Sequence, residues 1–379
     1  MSRRVIRFGV IGAGLMGREF ASAAARWCHL LNLNFQPEIV AVCDLNEQAT
    51  AWFSDNVPSV KNVTTDYREI LADSDVEAVY CAVPHNLHEE MYIEIIRSGK
   101  HLFGEKPFGI DLKANQAILE VIREHPDVLV RCSSELPFFP GALQISRWIE
   151  EERFGQIIEA EAGFWHSSDL NPQKPINWKR QVATNGEYGV MGDLGMHVLH
   201  VPLRYGWTPR SVRSLLSNII KERPDGAGNM VPCETWDNAT LACDVQRDGQ
   251  EFPLILSTKR IAPGHNNTWF IRIWGTEFSA EFSTLYPKQV RYLPYQPGGE
   301  QAWHVLDTPY KSAYASITGG IFEFGFSDAI LQMWAAFCDE LVNGPDVPFG
   351  CVRPEETAVS HKLFTAALES QRTGTTVAL

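Results

Sequence analysis

The first third of the chain alternates short apolar runs with stretches of helical periodicity. The apolar runs predict buried strands at residues 5–11, 39–43, 78–83, 102–103 and 128–132. Helical patterns follow three of them, at residues 15–31, 46–55 and 87–97. Strands that alternate with helices are typical of a parallel sheet with helices on both faces, so we expect an α/β domain over residues 1–134.

The pattern changes after about residue 134. Residues 143–152 predict a helix, and the apolar runs beyond it are typical of sheet strands, at residues 157–164, 240–245, 254–257, 269–274 and 280–282. Two late helices are predicted at residues 329–342 and 355–371. We therefore expect a second, α+β domain over residues 135–379, with a large, open, mostly antiparallel sheet whose outer face is solvated or covered by a partner.

Length and charge agree with two ordinary globular domains and exclude some partners. The 379 residues exceed the size at which one hydrophobic core usually stops growing. The net charge of −13 would repel phosphate backbones and anionic headgroups, and no dense Lys/Arg cluster offsets it. Nucleic acid and membrane surfaces are therefore poor partners, and no segment approaches the roughly 20 apolar residues of a membrane-spanning helix.

The eight cysteines are scattered along the chain without a CxxC pair. Several lie inside apolar runs, as Cys81 does, which favours reduced core thiols over disulfides or metal ligands. Reduced thiols are typical of a cytoplasmic protein, so this is the location that we expect.

A GxGxxG motif, GAGLMG at residues 12–17, lies directly between the first predicted strand and helix. In this context Gly12 permits a tight turn, Gly14 lets a pyrophosphate approach the backbone, and Gly17 allows close packing of the helix. The helix N-terminus, with Leu15 and Met16, then offers N–H groups and partial positive charge to phosphates. The motif therefore predicts a dinucleotide-binding Rossmann domain.

Asp44 ends the second predicted strand, where a carboxylate can accept hydrogen bonds from both ribose hydroxyls of NAD. It would repel the 2′-phosphate of NADP, so NAD is favoured as the cofactor. The spacing from Gly17 is longer than usual, and a helix extension and loop at about residues 27–37 would account for it. The alternative is that Asp44 only caps the following helix.

Three further motifs appear in a recognisable order: PHNLH at residues 84–88, GEKP at residues 104–107 and GDLGMH at residues 192–197. Together with the N-terminal glycines, they resemble the Gfo/Idh/MocA oxidoreductase family over nearly the whole chain. This resemblance implies that Lys106, Asp193 and His197 surround a reacting alcohol beside the nicotinamide. It also implies that Pro84, His88 and the Glu105–Lys106 segment line the cofactor.

The residue types suit hydride transfer from an alcohol to nicotinamide C4, which requires that the hydroxyl proton leave as the carbonyl forms. His197 can accept that proton near neutral pH, and Asp193 lies one helical turn away, where it could orient the imidazole. Lys106 would stabilise negative charge on the substrate oxygen, or could itself be the base. Each residue alone also has a structural explanation, such as a surface lysine or a helix cap.

Residues near the third motif are candidates for substrate binding. His166, Trp178 and Lys179 offer aromatic and hydrogen-bonding groups that suit a carbohydrate ring, although aromatics are as often core residues. Residues 135–140, ELPFFP, depart from the Tyr and Arg that the family often has there, which leaves the substrate class open. His200 stands where the family often has an acid. Asp193, His197 and His200 could also suggest a metal site, but the sequence offers no fourth ligand at a suitable spacing.

We therefore expect an NAD-dependent dehydrogenase that oxidises a secondary hydroxyl of a sugar, glycoside or cyclitol to a ketone. Two alternatives stay open: a glycosidase that uses NAD for transient oxidation and elimination, and a non-catalytic sensor of the dinucleotide. The family also implies a homodimer or homotetramer assembled through the open sheet.

Overall fold

The computed structural model describes residues 3–308 and 312–379. The chain forms two compact units. The first comprises Met1–Gly109, Lys113–Phe138 and Tyr310–Pro354, and the second comprises Ile110–Leu112, Phe139–Pro309 and Glu355–Leu379. The expected α/β class, with a parallel N-terminal sheet and a mostly antiparallel C-terminal one, is confirmed.

The first unit contains a six-stranded sheet in the order β3-β2-β1-β4-β5-β6, and every pair of neighbours is parallel. Its elements are β1 (Arg4–Ile11), α1 (Leu15–Ala25), β2 (Phe35–Cys43), α2 (Glu47–Asn56), β3 (Asn62–Thr64), α3 (Tyr67–Ala72), β4 (Ala78–Cys81), α4 (His88–Arg97), β5 (His101–Gly104), α5 (Leu112–Glu124) and β6 (Val130–Cys132). The strand order reverses between β1 and β4. Ligands of such sheets bind outside the carboxyl ends of the strands at this point.

Helix α1 is shorter than its apolar pattern predicts. The pattern predicts a helix to residue 31, but α1 ends at Ala25 and a 3₁₀ turn, Trp27–His29, follows it. The Trp27 indole donates to the carbonyl of Phe35, 2.9 Å away, which holds this turn against the start of β2. The turn and the loop after it account for the long spacing between the glycine motif and Asp44.

The second unit starts with α6 and continues through most of a large sheet. Its elements up to residue 307 are α6 (Pro140–Glu150), β7 (Ile157–Trp165), α7 (Val182–Asn185), α8 (Val190–Arg204), β8 (Pro209–Ser217), β9 (Glu222–Pro224), β10 (Met230–Pro232), β11 (Asn238–Arg247), β12 (Gln250–Lys259), β13 (Thr268–Gly275), β14 (Phe278–Ser283), β15 (Gln289–Pro294) and β16 (His304–Asp307). Helix α8 is buried along almost its whole length, because its side chains from Val190 to Leu203 are shielded from water on all sides.

The chain then returns to the first unit with α9 (Phe326–Asn343). This corrects the expected division at residue 134, which assigned everything from residue 135 onward to the second domain. The physical reason is an apolar helix face that fills the first unit's core: Trp334 stacks on Phe20 with ring centroids 3.5 Å apart, and Phe337 stacks on Phe103 at 4.6 Å. Leu136–Phe138 also belongs to this unit.

The second unit is completed by α10 (Pro354–Thr373) and β17 (Val377–Ala378). Strand β17 closes a nine-stranded sheet in the order β16-β15-β14-β13-β7-β12-β11-β8-β17, in which only the β7–β12 pair is parallel. Ala160, Ala162 and Phe164 of β7 are buried on the same side as the sheet's helices. The other face is polar and partly exposed, and Arg272 pairs there with Glu161 at 2.9 Å.

Candidate active site and cofactor cradle

The glycine motif forms the turn between β1 and α1. Gly12 has φ +99°, and a Cβ there would lie 2.3 Å from the carbonyl oxygen of Ala82, just after β4. A Cβ on Gly17 would lie 2.3 Å from the carbonyl oxygen of Gly12. At Gly14, by contrast, a Cβ would meet no atom within 4 Å, so this side of the turn is open to a ligand. The turn therefore fits a pyrophosphate, with exposed Leu15 and half-buried Met16 at the start of α1.

Asp44 lies at the carboxyl end of β2, beside this turn. Its Oδ2 accepts a hydrogen bond from the N–H of Ala13, and its Oδ1 accepts one from the N–H of Asn46, each at 2.8 Å. Asn46, not Asp44, caps α2, because its side chain accepts from the N–H of Gln48. Each carboxylate oxygen keeps a lone pair for a further donor, so Asp44 is placed to accept the ribose hydroxyls of NAD.

His88 lies beneath the loop that follows β4. Its ring is fully buried and stacks on Tyr92, with centroids 4.7 Å apart. Nδ1 accepts from the N–H of Gly109 at 3.3 Å, which leaves Nε2 to donate to the carbonyl of Val83 at 3.1 Å. These contacts fix the loop that carries half-buried Pro84, so His88 supports the loop from inside.

The Glu105–Lys106 segment is anchored by hydrogen bonds to its first residue. The hydroxyl groups of Tyr80 and Ser133 donate to Oε1 of Glu105 at 2.7 and 2.6 Å, and the Tyr92 hydroxyl donates to its carbonyl at 2.9 Å. Burial, and next the charge of Glu105, raise the pKa of Tyr80 well above its ordinary value, so Tyr80 stays a donor. The anchored backbone holds half-buried Lys106 at the carboxyl end of β5.

In the second unit, Asp193 lies in the first turn of α8 with 1% of its surface exposed. Its Oδ1 accepts from the ammonium of Lys179 at 2.9 Å, and its Oδ2 accepts from Nη1 of Arg260. The partial positive charge at the N-terminus of α8 adds to these two cations. Asp193 is therefore held as a carboxylate by three separate sources of positive charge.

Arg260, which the sequence analysis did not identify, extends this cluster. It follows β12 and is 7% exposed, and its Nε donates to Asp169 at 3.2 Å, which also accepts from Lys174 at 3.2 Å. Burial would raise the pKa of Asp169, but the charges of Arg260 and Lys174 outweigh it and lower this pKa. Burial likewise lowers the pKa of Arg260, but the two carboxylates outweigh it and raise that pKa. The result is a chain of alternating charges, which we call the ion-pair chain: Lys179, Asp193, Arg260, Asp169 and Lys174.

Two histidines contact the Phe164 ring near the ion-pair chain. The ring of His197 lies 5.4 Å from that of Phe164, and the ring of His166 lies 4.6 Å from it. Burial, followed by the charge of Arg260, lowers the pKa of His166 to about 4, so His166 is neutral near pH 7. His197 lies on α8 one turn after Asp193, as the spacing predicts, and its carbonyl accepts from the indole of Trp269 at 2.9 Å.

His200 faces a different set of partners. Its ring is fully buried, and its Nε2 accepts from Arg204 at 3.3 Å. Arg204 in turn pairs with Glu356 of α10 at 3.0 Å, so His200 belongs to the packing of α8 against α10. Among the described residues, no group of three or more His, Cys, Asp or Glu side chains has the arrangement of a metal site.

The remaining aromatic and basic candidates have different surroundings. Trp178 and Lys179 share a 3₁₀ turn, and the Lys179 ammonium lies 5.4 Å from the centroid of the half-buried Trp178 ring. Arg180 of the same turn is fully buried and pairs with Asp237 at 3.4 Å, which gives it a structural role. The Trp165 indole donates to Ser257 at 2.9 Å within the sheet. Of this group, Lys179 and His166 join the cluster around Asp193.

A comparison with family models matches residues 6–131 to an oxidoreductase family with an NAD-binding Rossmann fold. The matching model is that of the Gfo/Idh/MocA oxidoreductase family, so the expected resemblance is confirmed over these residues. The expected enzyme class and the expected cofactor, NAD, are confirmed by this match. No helix in the described part of the chain combines the length and hydrophobicity that crossing a bilayer requires.

Curated relatives are similar over part or most of their length. Levoglucosan dehydrogenase from Pseudarthrobacter phenanthrenivorans is 25% identical over 291 residues, which are 73% of this chain and 73% of that enzyme. Inositol 2-dehydrogenase/D-chiro-inositol 3-dehydrogenase from Halalkalibacterium halodurans is 28% identical over 153 residues, only 42% of that enzyme. A solved structure of levoglucosan dehydrogenase with NADH and levoglucosan has a TM-score of 0.86 over 99% of both chains at 22% identity, which shows a shared fold.

The position of Asp44 predicts a preference for NADH over NADPH. Replacing it by Ser (Asp44→Ser) removes the charge that would repel a 2′-phosphate, so the ratio of the two dissociation constants should change by about tenfold or more, or about 1.4 kcal/mol. Fluorescence titration with each nucleotide measures this ratio. Glu47→Gln, an exposed acid in the first turn of α2, is the control and should change it little. A wild-type enzyme that binds NADPH more tightly would contradict the assignment.

Arg260 predicts a change in His166 that requires no substrate. Burial is the main cause that lowers the pKa of His166 to about 4, and the charge of Arg260 lowers it further, so Arg260→Gln should raise that pKa part of the way toward 6.5. Titration of the histidine ring signals by NMR, assigned with His166→Gln, measures the shift. Arg272→Gln removes an arginine from the outer face of the sheet and should leave the His166 signal unchanged. An unchanged pKa in Arg260→Gln would contradict the ion-pair chain.

Proposed function

We propose that the protein is an NAD-dependent dehydrogenase that oxidises a secondary hydroxyl of a sugar, glycoside or cyclitol to a ketone. The observation that carries this proposal is the similarity to levoglucosan dehydrogenase over 73% of both chains. A family relative named for inositol oxidation and one named 1,5-anhydro-D-fructose reductase also act, by name, on cyclic polyhydroxy compounds. The glycosidase and the sensor are not favoured by these relatives.

In this proposal the first unit binds the cofactor. Bound NAD supplies the acceptor for the hydride. The open side of Gly14 and the N-terminus of α1 receive the pyrophosphate, and Asp44 accepts the ribose hydroxyls. Pro84, on the loop that His88 supports, and the anchored Glu105–Lys106 segment line the nicotinamide end. The rigid hydrogen bonds of Glu105 keep this part of the site preorganised.

The second unit supplies the proton acceptor. His197 takes the hydroxyl proton as the carbonyl forms, because imidazole is the side-chain base best suited to proton transfer near neutral pH. It lies on α8 one helical turn after Asp193, whereas burial, followed by the charge of Arg260, lowers the pKa of His166 to about 4. Asp193 stabilises the imidazolium that results, since it is already ionised between Lys179 and Arg260. Lys106 donates a hydrogen bond to the substrate oxygen and stabilises the negative charge that develops on it.

His166, Trp178 and Lys179 are the proposed contacts for the rest of the substrate. A neutral imidazole can both donate and accept, which suits hydroxyl groups. The half-buried Trp178 ring offers an apolar face for the C–H side of a sugar ring. These residues, together with Asp193 and His197 of the same unit, would recognise a polyol without requiring it to carry a charge.

The proposal also covers the cellular location of the protein and its assembly into oligomers. All eight cysteines are free thiols in the structure, and seven are buried, which agrees with a cytoplasmic protein. The outer face of the nine-stranded sheet carries exposed Leu215 beside polar residues, and we propose that it forms a homodimer or homotetramer contact.

A panel of cyclic polyols, sugars and glycosides, including levoglucosan and D-chiro-inositol, tests the reaction. Incubation with NAD should produce a steady rise of NADH absorbance with at least one compound. A glycosidase that regenerates its cofactor would instead release a sugar without net NADH, and a sensor would bind NADH and convert none of the compounds. Either of those results would replace the dehydrogenase proposal.

Lys106→Ala should lower turnover by about 100- to 1,000-fold, because it removes the cation that serves the reacting oxygen. NADH affinity, measured by fluorescence, should stay nearly the same, since the glycine turn and Asp44 are intact. Lys113→Ala, at an exposed position of α5, is the control for the loss of a lysine and should keep full activity. Wild-type turnover in Lys106→Ala would remove this lysine from the catalytic site.

A further inference from the structure

Glu135 is a buried acid of the first unit to which the proposed reaction assigns no role. Only 4% of its surface is exposed. It lies three residues after β6 and precedes the one-turn helix Leu136–Phe138, and its carbonyl accepts from the N–H of Phe138 at 3.0 Å. Burying a carboxyl group is costly unless it is protonated or paired, so its presence here requires an explanation.

The strand register brings the segment of Glu135 to the segment of Lys106. Strands β5 and β6 are parallel neighbours, and Gly104 pairs with Cys132 at their carboxyl ends. The next residues are joined as well: the N–H of Ser133 donates to the carbonyl of Gly104 at 2.9 Å, and its hydroxyl donates to Glu105 at 2.6 Å. Glu105–Lys106 and Ser133–Glu135 therefore leave the sheet side by side.

Glu135 interacts electrostatically with charged and titratable groups of three elements. They are Glu105 and Lys106 after β5, Glu19 of α1 and Tyr80 of β4. Burial is the main effect on Glu135, with the charge of Glu105 next, and together they raise its pKa to about 7, although Lys106 opposes them. Glu135 thus changes charge in the range where the enzyme is expected to work, beside the proposed catalytic lysine.

We propose that Glu135 is a positioning acid for Lys106, whose carboxyl proton controls how much of the lysine charge acts on the substrate oxygen. When Glu135 is protonated it carries no charge, so the full positive charge of the Lys106 ammonium acts on the substrate oxygen. The ionised form cancels part of its field, because two opposite charges at short range in a poorly solvated site interact strongly. This inference rests on the proposed role of Lys106. It adds a second titrating group to the reaction, which should slow as Glu135 loses its proton.

The titration itself can be tested without any substrate, from the pH dependence of Tm in the wild type, Glu135→Gln and Glu19→Gln. A folded-state pKa of about 7 against 4.5 for the free carboxyl means that the folded protein binds the extra proton between these values. The wild type therefore loses stability as the pH rises from about 5 to about 8. Glu135→Gln removes this loss, so its Tm relative to the wild type should rise by a few degrees over that range.

Glu19→Gln is the matched control, a half-buried acid of the same cluster that is outside the proposed machinery. It should keep most of the pH-dependent loss of Tm. If the difference in Tm between Glu135→Gln and the wild type is the same at about pH 5 and at about pH 8, Glu135 does not change its protonation in this range, which overturns the proposal. If Glu135→Gln does not fold, infrared difference spectra of the wild type replace it: the band of a protonated buried carboxyl should disappear between about pH 6 and about pH 8, and a constant band overturns the proposal.

The control over Lys106 is tested by the pH profile of kcat with a compound from the substrate panel. In the wild type, kcat should fall several-fold above about pH 7, and this fall should be absent in Glu135→Gln and present in Glu19→Gln. A fall that persists in Glu135→Gln, together with the expected Tm result, means that Glu135 titrates without acting on Lys106 and overturns the inference. Failure of the proposed function is distinct, because the wild type would then produce no NADH with any compound of the panel. Failure of the proposed role of Lys106 is distinct as well, because Lys106→Ala would then keep its turnover.

Discussion

Asp193 is an acid that is almost completely shielded from water, and its ionised form requires positive charge nearby. An unpaired buried carboxylate costs several kcal/mol, so the segments that carry its partners must fold to fixed positions. Lys179 comes from a 3₁₀ turn before α8, and Arg260 comes from the end of β12. Asp169 and Lys174 hold Arg260 from the other side. The second unit therefore places several loops around one carboxylate. Burial, followed by the charge of Arg260, keeps the nearby His166 neutral.

The first unit also buries an acid, at the carboxyl ends of its parallel strands. Glu105 is buried there, and hydroxyl groups from β4 and from the segment after β6 converge on it. The donors are buried side chains with little freedom to move, so their hydrogen bonds hold Glu105 and the adjacent backbone of Lys106 firmly. The glycine turn follows β1 and Asp44 follows β2, so these residues and Lys106 all lie at the carboxyl edge of the same parallel sheet.

The two units use buried acids in opposite ways. Asp193 is ionised and paired with cations, whereas burial, followed by the charge of Glu105, raises the pKa of Glu135 to about 7. A fixed charge suits a group that stabilises an imidazolium, and a titrating group suits one that adjusts the charge of a neighbour. Surroundings, not residue type, assign these two roles.

The sequence alone determined the elements that depend on local pattern: five of the six strands of the first unit, its helices α1, α2 and α4, the glycine turn and Asp44 at the end of β2. It also revealed the resemblance to the Gfo/Idh/MocA family, because short motifs keep their order along the chain. Tertiary structure alone decided that α9 returns to the first unit, because the apolar pattern of this helix does not identify the unit against which it packs. It also decided that Arg260 meets Asp193 and that Glu135 lies beside Glu105 and Lys106. Charges attract through space, and periodicity along a chain carries no information on which distant segment will supply them.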